Sequence, residues 1–541
     1  MNINYGGDGS LNSAIGTGPW TNDLSAKIDN TSGHSVTLLT PIAQYWNDDW
    51  TFVGSTNFNT GPGAVTLQSA NVVLTVSSNN LEVDGVITDN GKNFKLTKQG
   101  NGSLTLNNSG NSYAGGFELF SGLLNIGGDG SFSGSGVLTI DGGSIDNVSG
   151  GDLTLNPISS VWQGSFSYLG TSNNLNFGFG AIAASGGGNF SVNVVTNTLI
   201  TAGDVVPGNN LLHKTGQGTW DISGFGTSAQ NLNLSVDQGT VLLDKSSGQS
   251  INGIAFGLIV QSNALAIITG SSGDQIANNN AVTLSTGGVL DLNGNTETVG
   301  SVSETNGVLR NGLPGSAAAL TVDGTVVLTG TSGVFDIPDS AASLTVTATD
   351  VTGSGSLVKT GLGLLNLSTN SYAGNTTINN GTLVLNFPNI ATNSTIMVAT
   401  NATLGTNGLL TLDFPNGETN VVAALILGGV SQAPGVYSAT TDPLYIAGSG
   451  SLLVVPQTSP INPLPGSIQF VVSGGVSGGT LALSWPTNSG WILQEQTNAL
   501  NVGLMTNGNA WFDVSGSSLV TSTNMTINPA NPTVFFRLRH P

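Results

Sequence analysis

Cysteine is missing from this chain, so no disulfide framework, thiolate metal site or thiol nucleophile can be built from it. Charge is scarce as well: 7% of the 541 residues are charged, against about 25% in ordinary soluble proteins. Basic residues number 10 and acidic ones 30, a formal net charge of -20. That balance argues against nucleic acid or an anionic membrane as a partner. Histidine occurs only at His34, His213 and His540, scattered along the sequence, which disfavours a catalytic triad or a histidine metal site. No stretch approaches 18 consecutive apolar residues, so no membrane span is expected. The opening "MNINYGGDGS" has neither the basic nor the apolar region of a leader, and an exported chain is therefore expected to be a mature form. Sustained helical periodicity is absent too.

What is present is glycine, at 78 positions, and a hydrophobic content of 38%, mostly Val, Leu and Ile. Such a chain can bury a core, which a disordered tract of similar polarity cannot. In residues 64–87, "AVTLQSANVVLTVSSNNLEVDGVI", apolar and small polar residues alternate, and each run ends in Asn, Ser or Gly. This is the period of strands closed by turns, and an all-β fold follows.

Internal repeats narrow the architecture. The pattern K-x-G-x-G occurs three times: at Lys98, Gly100 and Gly102; at Lys214, Gly216 and Gly218; and at Lys359, Gly361 and Gly363. A glycine-led strand follows each copy, beginning at Gly122, Gly239 and Gly381. The copies lie near residues 94–126, 210–243 and 355–385, and the first and third share Asn-Ser-Tyr-Ala-Gly around Tyr113 and Tyr372. Trp46 precedes Lys98 by 52 residues, as Trp162 precedes Lys214, so two units lie 116 residues apart. Short strands with Gly and Asn corners suit a β-solenoid, in which each coil hydrogen-bonds the next. Equivalent positions then lie over one another at roughly 4.8 Å, where like charges repel, and this accounts for the scarcity of charge. With about 20 residues per coil, residues 1–455 are expected to form a rod on the order of 100 Å long.

Residues 355–385, "GSLVKTGLGLLNLSTNSYAGNTTINNGTLVL", resemble the autotransporter-associated β-strand repeat (PATR type). Residues 426–455 are similar to the segment that closes such arrays, and "VLDLNGNTETVGSVS" at 289–303 resembles the intervening strands. The resemblance implies a right-handed parallel β-helix on an extracellular or cell-surface protein with adhesive or structural roles. The tail does not read as the closing membrane barrel of the best-known members. Residues 456–467, "PQTSPINPLPGS", form a proline-rich linker. Residues 468–541 are expected to form a small β-sandwich with Trp485 and Trp491 at its core or rim, and look like the small C-terminal domains of exported Verrucomicrobia-type proteins.

Candidate chemistry is sparse. Trp46, Asp48, Asp49 and Trp50 in "YWNDDWTF" suggest an N-terminal cap or a patch that grips a sugar or cation. Asp336 and Asp339 in "FDIPD" fit a calcium turn only weakly. The motif lysines lack the order of a phosphate loop and are expected at coil corners, stems along the solenoid and ammonium groups in water. Tyr113 and Tyr372 read as corner packing. Arg537 and Arg539 are expected to pair with carboxylates. No catalytic residue, metal site or cofactor is expected, and the chain is read as non-enzymatic. The preferred reading is a structural subunit that associates with itself through solenoid ends or the C-terminal domain. An adhesin that binds extracellular glycans is the alternative, and a polysaccharide-degrading enzyme the third.

Overall fold

The computed structural model of the protein describes residues 1–7, 13–132, 136–156, 158, 159–208, 210–225, 232–246, 253–270, 274–401, 406–455, 469–473, 479–485, 491–499, 501–528, 530–531 and 533–539. The proline-rich linker, residues 456–467, and His540 lie outside them. The chain divides into two compact units, Met1–Pro456 and Gln457–Pro541.

The first unit is a parallel β-solenoid of about 16 turns. Each coil lays short strands on three faces in turn. On the first face Val72–Val76 pairs in parallel with Leu96–Gln99, and that with Phe117–Leu119. On the second, Asn80–Val83 pairs with Ser103–Leu106 and then Leu123–Ile126. On the third, Thr198–Thr201 pairs with Thr219–Gly224 and then Thr240–Lys245. Alternation decides which side chains enter the core: in Val72–Val76 the first, third and fifth residues are buried and the two between are not. Corners need backbone that ordinary residues avoid. Asn79 and Asn197 both turn with φ of 52°, a left-handed conformation that Asn tolerates, and each amide donates to a carbonyl of the preceding coil, Gly54 and Gly170, at 2.6 Å. One strand, Ala317–Thr329, runs through the corner between first and second faces, with a register shift between Val322 and Thr325.

The core contains aromatic clusters among its aliphatics. Trp46 and Trp50 meet edge to face at 5.0 Å, and Trp50 meets Trp20 at 6.1 Å. The expectation that Trp46 and Trp50 cap an end or line a ligand patch is therefore corrected. Both hold inward positions of their strands, and they are 0% and 1% exposed. The corner acids between them bind backbone: Asp48 accepts from its neighbour's N–H at 2.8 Å, and Asp49 from Val73 N, one coil on, at 2.7 Å. Trp162 repeats the arrangement with Phe166 at 5.0 Å and Trp220 at 5.9 Å.

The C-terminal end of the solenoid is closed by reversal of the chain. Val430–Ser431 turns back antiparallel onto Ala424–Leu427, and Gly435–Ser438 runs antiparallel to Ser451–Val454. Antiparallel strands of this kind interrupt the parallel template that an open end would offer. In the second unit, Gln469–Ser473, Thr480–Ser484 and Ser522–Thr526 form one antiparallel sheet, and Ile492–Asn498, Phe512–Asp513 and Thr533–Arg539 another. Leu483, Trp485 and Leu493 are buried where side chains of the two sheets meet, with Trp491 packed against them.

Removing a large inward ring leaves a cavity that stacked coils cannot collapse into, at about 3–5 kcal/mol for Trp to Ala. Trp162→Ala is expected to accelerate amide exchange in Ser160–Trp162, Phe166–Tyr168 and Thr219–Gly224 while leaving Thr533–Arg539 unchanged, as hydrogen-exchange mass spectrometry can check.

Candidate functional site

The three K-x-G-x-G copies build one geometry three times. Lys98 Nζ donates to the carbonyls of Gln99 at 3.1 Å, Gly100 at 2.9 Å and, one coil on, Ser121 at 3.0 Å. Lys214 Nζ donates to Thr215 at 3.0 Å, Gly216 at 2.8 Å and Gln238 at 3.0 Å. Lys359 Nζ donates to Thr360 at 2.6 Å, Gly361 at 2.8 Å and Asn380 at 3.4 Å. All three side chains are 0% exposed, so the expectation of ammonium groups in water is corrected. The lysine occupies an inward position of its strand, and its stem is long enough to place the charge where corner carbonyls of two coils converge.

The glycines make room for this cage. Gly100, Gly216 and Gly361 turn with φ of 85°, 77° and 73°. At Gly122 a Cβ would lie 2.1 Å from the Gly100 carbonyl oxygen and 2.6 Å from Lys98 Nζ. Gly239 and Gly381 face the Gly216 and Gly363 oxygens at 2.4 Å and 2.3 Å in the same sense. The second glycine of each motif meets backbone of the coil below: a Cβ at Gly102 or Gly218 would stand 2.7 Å from the carbonyl oxygen of Asn79 or Asn197, and at Gly363 2.5 Å from that of Ala342. Tyr113 and Tyr372 are buried nearby in sequence, the first donating to the Ser131 carbonyl at 2.8 Å and the second bonded to Thr376 Oγ1 at 2.6 Å.

The copies sit at different corners. Lys98 joins first to second face, Lys214 second to third, and Lys359 third back to the first. The repeated motif is thus a way of turning the chain and of tying that turn to the next coil. Burial pulls each ammonium down to about 8. Three acceptor-only carbonyls oppose this, because a neutral amine would turn a lone pair toward one of them. With all three N–H groups engaged, the lysines have no free donor or base for chemistry.

The scarce acids are also engaged with their surroundings. Asp336 bonds Thr360 Oγ1 at 2.9 Å and flanks Arg310 at 3.6 Å, whereas Asp339 accepts from Gly315 and Ala341 N–H groups at 3.0 Å. Lys95 pairs with Glu118, and burial together with Glu118 pushes the neighbouring Asp141 up to about 6. His213 Nδ1 lies 2.8 Å from Asp237, and His34 is exposed far from it in the stack. Arg539 pairs with Asp513 at 3.2 Å, and Arg537 lies 4.3 Å above the Trp511 ring while its Nε donates to Gln494 at 2.8 Å. Among the described residues no group of three or more His, Cys, Asp and Glu is placed to hold a metal ion.

Two interior carboxyl groups escaped the reading of the sequence. Glu297 is buried, accepts from the N–H groups of Gln275 and Ile276 at 3.0 Å, and is pushed up to about 8, chiefly by burial. Glu304 is fully buried, and burial raises it well above the usual carboxylate range against the opposing pull of the Val334 and Leu309 backbone N–H groups. A Cβ on Gly333 would lie 2.4 Å from its Oε2, so that glycine leaves the space the side chain fills. Strand alternation carries the signal for both: each glutamate takes the inward place beside Val299 or Val302 in its strand.

Residues 96–126 and 357–385 match the passenger-associated-transport-repeat family, and they enclose the Lys98 and Lys359 cages. In an alignment 388 residues long that covers 61% of the chain, it is 27% identical to the adhesin BmaC autotransporter of Brucella suis biovar 1 (strain 1330). The match takes in 11% of that protein's length. No solved structure matches the chain.

Lys98→Met keeps the stem and strips three buried carbonyls of their donor, at about 3 kcal/mol or more. Exchange protection is expected to fall at residues 99–102 and 121–124, where Lys95→Met changes little. The acids give a pH dependence of the opposite sign to ordinary acid unfolding. Glu297 and Glu304 hold protons in the folded state above the unfolded value near 4.5. Their stabilisation is therefore present in full below that value and is lost as pH rises toward about 8 for Glu297. Melting is expected at higher temperature at pH 5 than at pH 8, with Glu304→Gln narrowing the difference, as calorimetry across that range can check.

Proposed function

We propose that the protein works at the cell exterior as a non-enzymatic, adhesin-like surface module. The observation that carries this reading is the similarity to an adhesin over 388 residues, in a chain whose caged lysines hold coils together instead of facing a substrate. The outward sides of its faces supply the surface an adhesin needs. On the second face, Asn80 and Ser103 stack in register and are linked at 2.8 Å. Such ladders offer donors and acceptors at the roughly 4.8 Å strand spacing, suited to extracellular glycans with repeating hydroxyl groups. A structural subunit of a surface layer is the second reading, favoured by the apolar outer row considered below.

Fluorescent beads coated with the full chain are expected to adhere to epithelial cells or mucin more than albumin-coated beads do, and soluble chain should compete. Adhesion no greater than that of albumin beads would overturn the adhesive reading. Release of reducing ends from a polysaccharide panel would overturn the non-enzymatic one.

A further inference from the structure

The outer side of the third face differs from that of the second. In register from coil to coil, its outward positions run Leu265, Val289, Val308, Val334 and Val358, then Thr377, and on through Met397 to Ile426. None of these is buried, whereas the residues between them along each strand, such as Leu290, Leu309 and Leu357, are 0% exposed. The comparable row on the second face stacks Ser235, Ile259, Thr283, Ser303, Val327 and Thr352. Two faces built by the same rule thus carry different outer surfaces, and one is an apolar stripe crossing eight coils.

We propose that this stripe is the contact between two copies of the chain, packed laterally, third face against third face. Charge permits a like partner here. The solenoid unit holds eight basic and 28 acidic residues, 8 - 28 = -20, the whole net charge of the chain. Beside the stripe, however, the charges alternate up the stack as Asp291, Arg310 and Asp336, with Arg310 Nε 3.6 Å from both carboxylates. Two copies can therefore approach on this side without the repulsion that acidic surfaces impose. The size is sufficient. Eight strands at roughly 4.8 Å span about 35 Å, and strands of this length are about 14 Å wide, so two faces bury on the order of 1,000 Å², the lower bound for a specific interface. Flat parallel faces with β-branched ridges also pack on one another at about 10 Å, as sheets do within a sandwich. The reversal of strands at the C-terminal end makes this lateral contact the better route than the end-to-end one first expected. The inference is independent of the adhesive reading.

Sedimentation equilibrium of the full chain from low to high micromolar concentration tests it. A monomer–dimer equilibrium is expected, strengthened by sulfate as an apolar contact is. Val308→Lys with Val334→Lys should weaken it at least about tenfold, since each buries an unpaired charge. Val308→Thr with Val334→Thr, which keep shape and strand propensity, should weaken it less but measurably. Thr283→Lys with Ser303→Lys on the second face should leave it unchanged, and melting curves show that each variant is folded. A chain that stays monomeric throughout the series overturns the proposal, as does a dimer indifferent to both third-face pairs.

Discussion

Everything in the solenoid follows from one constraint: the strand spacing of roughly 4.8 Å puts each side chain directly over its counterpart in the next coil. A charge repeated up such a stack meets its own kind, so the sequence either removes charge, alternates it or encloses it. Removal is the common solution. Alternation appears at Asp291, Arg310 and Asp336. Enclosure appears at Lys98, Lys214 and Lys359, where backbone carbonyls of two coils take the place of water.

Enclosure also explains why the motif travels between corners. A cage made of main-chain carbonyls does not depend on which faces it joins, only on a left-handed turn after the lysine and a glycine one coil on. That is why the same five-residue pattern serves three corners of one solenoid, and why the coils beyond it can diverge. Lys245 shows the limit of the solution: it is buried too, but finds the Gly203 carbonyl at 3.1 Å and Asp204 at 3.9 Å without the glycine pattern.

Much of the fold was legible because alternation in strands such as Val72–Val76 is a local property of the sequence. The corner role of the motif was legible from its glycines. The place of the ammonium was not, since its third acceptor lies 21 to 24 residues away and only the stacking register brings it near. Trp46 and Trp50 misled for a related reason. Paired acids between aromatics read as a surface patch, yet a corner of three residues returns both rings to inward parity.

The apolar stripe shows where reading by sequence period fails. From Val289 to Val308 the register advances 19 residues, and from Val308 to Val334 it advances 26, because insertions are absorbed at corners while the strands stay aligned. No fixed repeat length places these valines in one row. Core positions tolerate such variation, since any large aliphatic fills an inward place. An outer row has no such requirement from folding, for the second face builds the same coils with Ser or Thr at four of its six places, Ile259 and Val327 being the other two. Its apolar character across eight coils therefore points away from the fold and toward whatever surface meets it.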